Sequence, residues 1–142
     1  MPIASIVADA NVLLSAVTGR AALRVFTEHD LTVHVAQFNV DEVLEYLPAM
    51  AARYSLDPVI LELQWKLLPM RIHPFDVYQR HFASAVGALS KRDPEDAHAL
   101  ALARRLRIPL WSNDRDLQGH DVECYPTARL LAVLARERRE ET

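Results

Sequence analysis

Glycine is scarce and cysteine nearly absent, with three glycines and one cysteine among 142 residues. The glycines are scattered at Gly19, Gly87 and Gly119, which excludes a glycine-rich loop cradling phosphates. The lone Cys124 cannot form an intramolecular disulfide, and no Cys/His cluster has zinc-ligand spacing. No apolar run approaches the ~20 residues needed to span a bilayer. The first residues lack the basic and long apolar regions of a signal peptide. A cytoplasmic protein with no membrane contact is therefore expected. Positive charge is not in excess either: Lys and Arg number 16 against 19 acids, for a net charge of −3. That counts against a global nucleic-acid footprint, although carboxylates gathered around a cation would lower the formal count in the same way.

What remains is an ordinary globular composition, 51% apolar and 25% charged, long enough for one domain over residues 1–142 with a real core. Residues 136–142, rich in Arg and Glu, are expected to fray as a solvated helix end. The run from Ile3 to Ala8 has the continuous apolar character of a strand buried on both faces. A helical pattern follows toward Phe26, and Leu31 to Ala36 forms a second, β-branched strand. A helix is predicted to open at Asn39 and to be split by Pro48. Asp57-Pro58 reads as a cap and first helical residue, with that helix running through Leu67. A short strand at Met70 to His73 precedes a helix around Val77 to Leu89. Asp93-Pro94-Glu95-Asp96 starts a further helix. Strands at Leu110 to Ser112 and Val122 to Tyr125, then a helix from about Thr127, complete the chain. Strands alternating with helices imply an α/β/α sandwich with a mainly parallel sheet of four to five strands.

The stretch "PLWSNDRDL" at 109–117 ends a buried strand in two carboxylates, where repulsion and desolvation both oppose it. In open parallel sheets ligands sit at the carboxyl ends of the strands. Asp9 ends the first strand and Asp114 follows the fourth. Asp96 opens the helix feeding that fourth strand, and Glu42 lies in the first turn of the helix after the second. Two carboxylates about 5 Å apart repel by roughly 3 kcal/mol at an effective dielectric near 20. Four sharing a cleft call for a hard divalent cation, Mg²⁺ or Mn²⁺, and metal-assisted hydrolysis of a phosphodiester is the reaction implied. Each acid alone has a plainer explanation. Asp9 suits a turn, Glu42 and Asp96 complete capping boxes with Asn39 and Asp93, and Asp114 and Asp116 suit an exposed loop. The combination is what capping leaves unexplained.

The segments "VADANVLLSA" at 7–16, "VDEVLEYL" at 40–47, "DPEDAHALALA" at 93–103 and "WSNDRDL" at 111–117 resemble the PIN-domain nucleases. The resemblance implies Mg²⁺- or Mn²⁺-dependent endonucleolytic cleavage of RNA and frequent homodimerisation. For small bacterial members of VapC type it also implies a toxin held inactive by a cognate antitoxin. Carried over by position, Asp9, Glu42, Asp96 and Asp114 match the catalytic, metal-binding acids. Asp116 resembles an additional acid, and Asn11 and Ser112 groups that orient carboxylates or contact phosphate. Asp93 stands as a cap or a further supporting group. Glu45, one turn beyond Glu42, competes for its role; the first-turn position favours Glu42.

Arg20, Lys91, Arg92 and Arg115 flank these acids and are candidates for phosphate contacts, against the reading that each is a solvated surface residue. Arg115, between two acids, is the best placed. Trp111, inside a strand, is expected in the core. Trp65 with Leu61, Leu63, Leu67 and Leu68 makes a helical segment more apolar than one core requires, suited to a dimer or antitoxin contact. His98 reads as helix surface rather than a general base. Two alternatives compete with the nuclease: a noncatalytic module of the same fold binding RNA or protein, and a phosphotransfer enzyme with Asp9 as nucleophile. The second lacks an obvious phosphate-binding lysine.

Overall fold

In the computed structural model, which describes residues 2–89 and 94–141, five parallel strands lie in the order β3-β2-β1-β4-β5. They are β1 (Ser5–Ala8), β2 (Thr32–Ala36), β3 (Arg71–His73), β4 (Leu110–Trp111) and β5 (Cys124–Tyr125). The helices are α1 (Ala10–Val17), α2 (Ala21–Thr27), α3 (Gln37–Arg53), α4 (Pro58–Leu67), α5 (Phe75–Ala88), α6 (Ala97–Leu106) and α7 (Thr127–Glu140). Alternating side chains send Ile6, Ala8, Val33, Val35 and Trp111 into one core and Val7, Ala36, Leu110 and Cys124 into another. The sheet is thus buried on both faces between helical layers, as its apolar strands require. Because every strand runs the same way, all five C-terminal ends share one edge.

Local chemistry sets the boundaries. The Asp9 carboxylate accepts the Val12 amide at 3.0 Å and caps α1; Asp57 accepts the Val59 amide at 2.9 Å with Pro58 opening α4. The predicted helix toward Phe26 is two helices, turned at Gly19 with φ of 79°. Pro48 does not split α3, contrary to expectation. It removes only the bond to the Leu44 carbonyl, on an exposed side of the helix, while Val43, Leu47 and Ala51 keep the helix docked. Nor does α3 open at Asn39: it follows β2 directly from Gln37, which places Asn39 inside the first turn and not at the cap. Asp93, the expected cap of α6, lies outside the described residues; Pro94–Asp96 form one 3-10 turn before Ala97. α7 continues to Glu140, and Glu137 within it accepts the Ile3 amide at 3.1 Å.

Candidate metal centre at the sheet edge

Register brings the first acids together. Ala8 pairs with Trp111, and the Asp9 amide bonds the Trp111 carbonyl at 3.3 Å, so Asp9 leaves β1 beside Ser112 leaving β4. Ser112 is fully buried. Its hydroxyl hydrogen-bonds the Asp9 carboxylate and accepts the Asp114 amide at 3.0 Å. Asp114 in turn accepts the Asp116 amide at 2.9 Å, capping a short 3-10 turn, Arg115–Leu117. Asp9 is 8% exposed, and burial pushes its carboxyl above the ordinary range, against the opposing pull of Ser112 and with a further push from Asp114.

The second group forms where α3 meets the start of α6. Burial lifts Glu42 to about 7; the Asn39 amide opposes the rise, whereas Glu95 and Asp96 add to it through their charge. Asn39 is 3% exposed and donates Nδ2 to Glu42 Oε1 at 2.8 Å, while its buried Oδ1 finds no hydrogen-bond partner among the described residues. Asp96, at the N-cap position of α6, makes no side-chain bond to the amides of that helix; its expected capping box with Asp93 falls outside the described residues. Glu45, the competitor of Glu42, is exposed one turn further on.

The four expected acids thus stand as two separate pairs at one edge, Asp9 with Asp114 and Glu42 with Asp96. Among the described residues, no group of three or more His, Cys, Asp or Glu is placed to hold a metal ion. In donor chemistry the acids fit a hard divalent cation: all are carboxylates, and Asp9 and Glu42 both carry the burden of burial and like charge that such an ion relieves.

The remaining candidates divide. Asn11 is exposed at the start of α1, its backbone amide bonding Asp9. Arg115 and Asp116 stand in the 3-10 turn beside Asp114, Arg115 exposed. Arg20 does not join them: it follows the far end of α1, roughly 12 Å of helix from Asp9. Lys91, Arg92 and Asp93 lie outside the described residues. Trp111 is in the core, as expected, with Nε1 donating to Thr127 at 2.9 Å.

Three residues escaped the sequence reading. Asn39 looked like a cap, although a polar residue on the stripe of Val40, Val43 and Leu47 was a signal. Glu95 looked like a first-turn acid. His98 is not a surface residue: Phe38 stacks on it at 3.9 Å, and the Tyr78 hydroxyl hydrogen-bonds its Nδ1 at 2.7 Å.

Comparison with solved structures gives the same fold at low identity. The chain is similar to a structure of VapBC2 from Rickettsia felis bound to a promoter DNA fragment, with a TM-score of 0.66 and 10% identity over 86% of this chain and 98% of that one. It is similar to PAE2754 from Pyrobaculum aerophilum at a TM-score of 0.69 and 16% identity, covering 94% and 96%. A toxin–antitoxin complex from Klebsiella pneumoniae matches at 0.61 and 18% identity, covering 82% and 92%. No curated protein sequence matches it. A family model described as the PIN domain matches residues 7–135, and with nearly the whole chain so matched, this protein belongs to the PIN-domain family.

Proposed function

We propose that the chain is a metal-dependent endoribonuclease that hydrolyses RNA phosphodiester bonds and is the toxin of a toxin–antitoxin pair. The observation that carries this reading is the buried Asp9 beside Ser112 and Asp114, at the same sheet edge as Glu42 and Asp96. Asp9, Glu42, Asp96 and Asp114 would hold Mg²⁺ or Mn²⁺. When bound, the ion supplies Lewis acidity at phosphate and an acidified water for attack on phosphorus. The chain's own residues prepare that chemistry. Ser112 orients the Asp9 carboxylate, Asn39 fixes that of Glu42, and Arg115 offers a charge to an entering phosphate.

An antitoxin partner is supported by the similarity to a structure named as a toxin–antitoxin complex and to that of VapBC2. The surface supports it too. On α4, Leu61 and Trp65 are buried while Leu63 is 51% and Leu67 80% exposed. Such an apolar face suits a protein contact, with a cognate antitoxin or with a second copy in a homodimer. No described helix is long and apolar enough to cross a membrane.

Incubating the protein with RNA and Mg²⁺ or Mn²⁺ beside Asp114→Asn tests the enzyme: the variant should lose cleavage, and EDTA should abolish it. EDTA-resistant cleavage, or equal activity of the variant, would dispose of the proposal. One observation favours a second reading, a noncatalytic PIN-fold module binding RNA or protein: no three described acids already stand in ligating positions. The two readings part on whether millimolar Mn²⁺ raises the melting temperature.

A further inference from the structure

A cluster of rings at the acidic edge has no role in the reading above. β3 ends at His73, Pro74 turns the chain, and Phe75 is the first residue of α5. Phe75 therefore stands at the same edge of the parallel sheet as Asp9 and Ser112. Tyr78 and Phe82 meet it edge to face, with centroids at 5.3 and 5.2 Å and planes at 78° and 74°. His98 lies 5.9 Å away, tilted by 60°. Tyr78 is fully buried, yet Phe75 is 40% exposed, and among the described residues no ring stacks parallel to it. Part of an apolar ring is thus left in water with the rest of it packed against the rings behind.

This shelf leads to the acids by two short routes. Phe38, stacked on His98 with planes 7° apart, precedes Glu42 by one turn of α3. His98 follows Asp96 by two residues. The chain as a whole has a net charge of −3, and an acidic edge without its cation repels a polyanion. A nucleic acid is better held there by its bases, since every base has a π face and stacking on an aromatic side chain is tolerant of sequence.

We propose that Phe75, backed by Tyr78, Phe82 and His98, is a stacking platform for a nucleobase of single-stranded RNA beside the phosphate delivered to the acids. The inference rests on the ribonuclease reading and adds to it the residue that positions the substrate. Stacking of this kind also predicts a shallow salt dependence of binding.

The test is fluorescence anisotropy of a labelled single-stranded RNA on the full chain in EDTA, where nothing is cleaved. Phe75→Ala and Phe75→Leu should each weaken binding about tenfold or more, the range of a lost base–aromatic stack, while Phe75→Trp retains it. The Mn²⁺-induced rise in melting temperature should be the same in all four proteins. Binding by Phe75→Ala and Phe75→Leu equal to wild type overturns the platform. So does a loss of dimer in light scattering with RNA affinity intact, which assigns the ring to a second copy. If the wild type cleaves RNA with Mn²⁺ while Phe75→Ala binds equally well, the platform alone falls. If the wild type neither binds nor cleaves RNA, the ribonuclease reading falls and takes the platform with it.

Discussion

Asn39, buried in the first turn of α3, donates its amide to Glu42 across 2.8 Å while its own carbonyl oxygen meets no partner among the described residues. The bond favours ionised Glu42 and opposes a burial effect that lifts this acid to about 7. Asn39→Leu removes the donor but also the orphaned acceptor, whose burial costs about 1–3 kcal/mol. Stability near pH 6 should therefore change little. Cleavage of RNA at pH 7 should fall several-fold, and the acid limb of the rate profile should move to higher pH. An unchanged profile would mean that Asn39 does not hold Glu42 for catalysis.

Metal-free protein should become less stable as pH rises through the range in which Glu42 ionises. The folded state keeps its proton to about 7 while the ordinary value is 4.5, so the native state binds more protons between them and stability declines with rising pH. Because Glu42 is partly solvated, the loss is discounted to about 1–2 kcal/mol. Glu42→Gln should flatten this decline. Asp96→Asn, removing a neighbouring charge, should cost little or stabilise the metal-free protein at pH 8, while shrinking the Mn²⁺-induced rise in melting temperature. Thermal melts with and without Mn²⁺ check both; a full Mn²⁺ shift in Asp96→Asn removes that residue from the ligand set.

Ser112→Ala deletes a fully buried hydroxyl that serves both Asp9 and the Asp114 amide. The amide loses its acceptor and Asp9 a donor, at a cost of about 1–3 kcal/mol in denaturant unfolding. Cleavage should fall as well, because Asp9 is then held less firmly and its carboxyl rises further. A variant as stable and active as wild type would show that the hydroxyl is a bystander.

Leu67 is 80% exposed at the end of α4, so Leu67→Glu should alter stability by less than about 0.5 kcal/mol. It should nonetheless weaken the protein contact proposed for that face. Sedimentation or light scattering of the variant, alone and with the antitoxin, gives the readout; unchanged assembly in both would place the contact elsewhere.

The layers of this fold were legible because apolar runs and cap chemistry are local signals. The run to Ala8 and the Asp57-Pro58 start lie where their residue types require. Pro48 misled because proline breaks helices by one lost bond and a steric clash, and tertiary docking of Val43, Leu47 and Ala51 overrode both. Asn39 misled for a related reason: a strand passing straight into a helix needs no side-chain cap, and no local pattern distinguishes that from a loop of two residues. The convergence of Asp9 with Ser112 depends on β1 and β4 being neighbours, a pairing across about a hundred residues of chain that only the topology supplies. Phe75 was invisible because His98, brought in from α6, completes the surroundings that Tyr78 and Phe82 begin on its own helix.

His34 and His73 supply the remaining prediction. From adjacent strands, Nδ1 of His34 and Nε2 of His73 meet at 2.9 Å with the ring planes 29° apart, a bond that requires a neutral acceptor. Burial lowers both pKa values, His73 adds to the effect on His34, and Arg71 adds to both. The unfolded chain therefore binds more protons than the native state below about pH 6.5, and stability from this pair is lost as pH falls. Glu42 acts in the opposite direction over an overlapping range, so the wild-type curve alone decides nothing. The difference between wild type and His73→Gln isolates the pair, since glutamine can still donate to His34 but does not titrate. Melting temperature should drop more steeply from pH 6.5 to about 5 in the wild type than in the variant. Parallel curves would mean that the edge strand β3 is held to β2 by its backbone ladder alone.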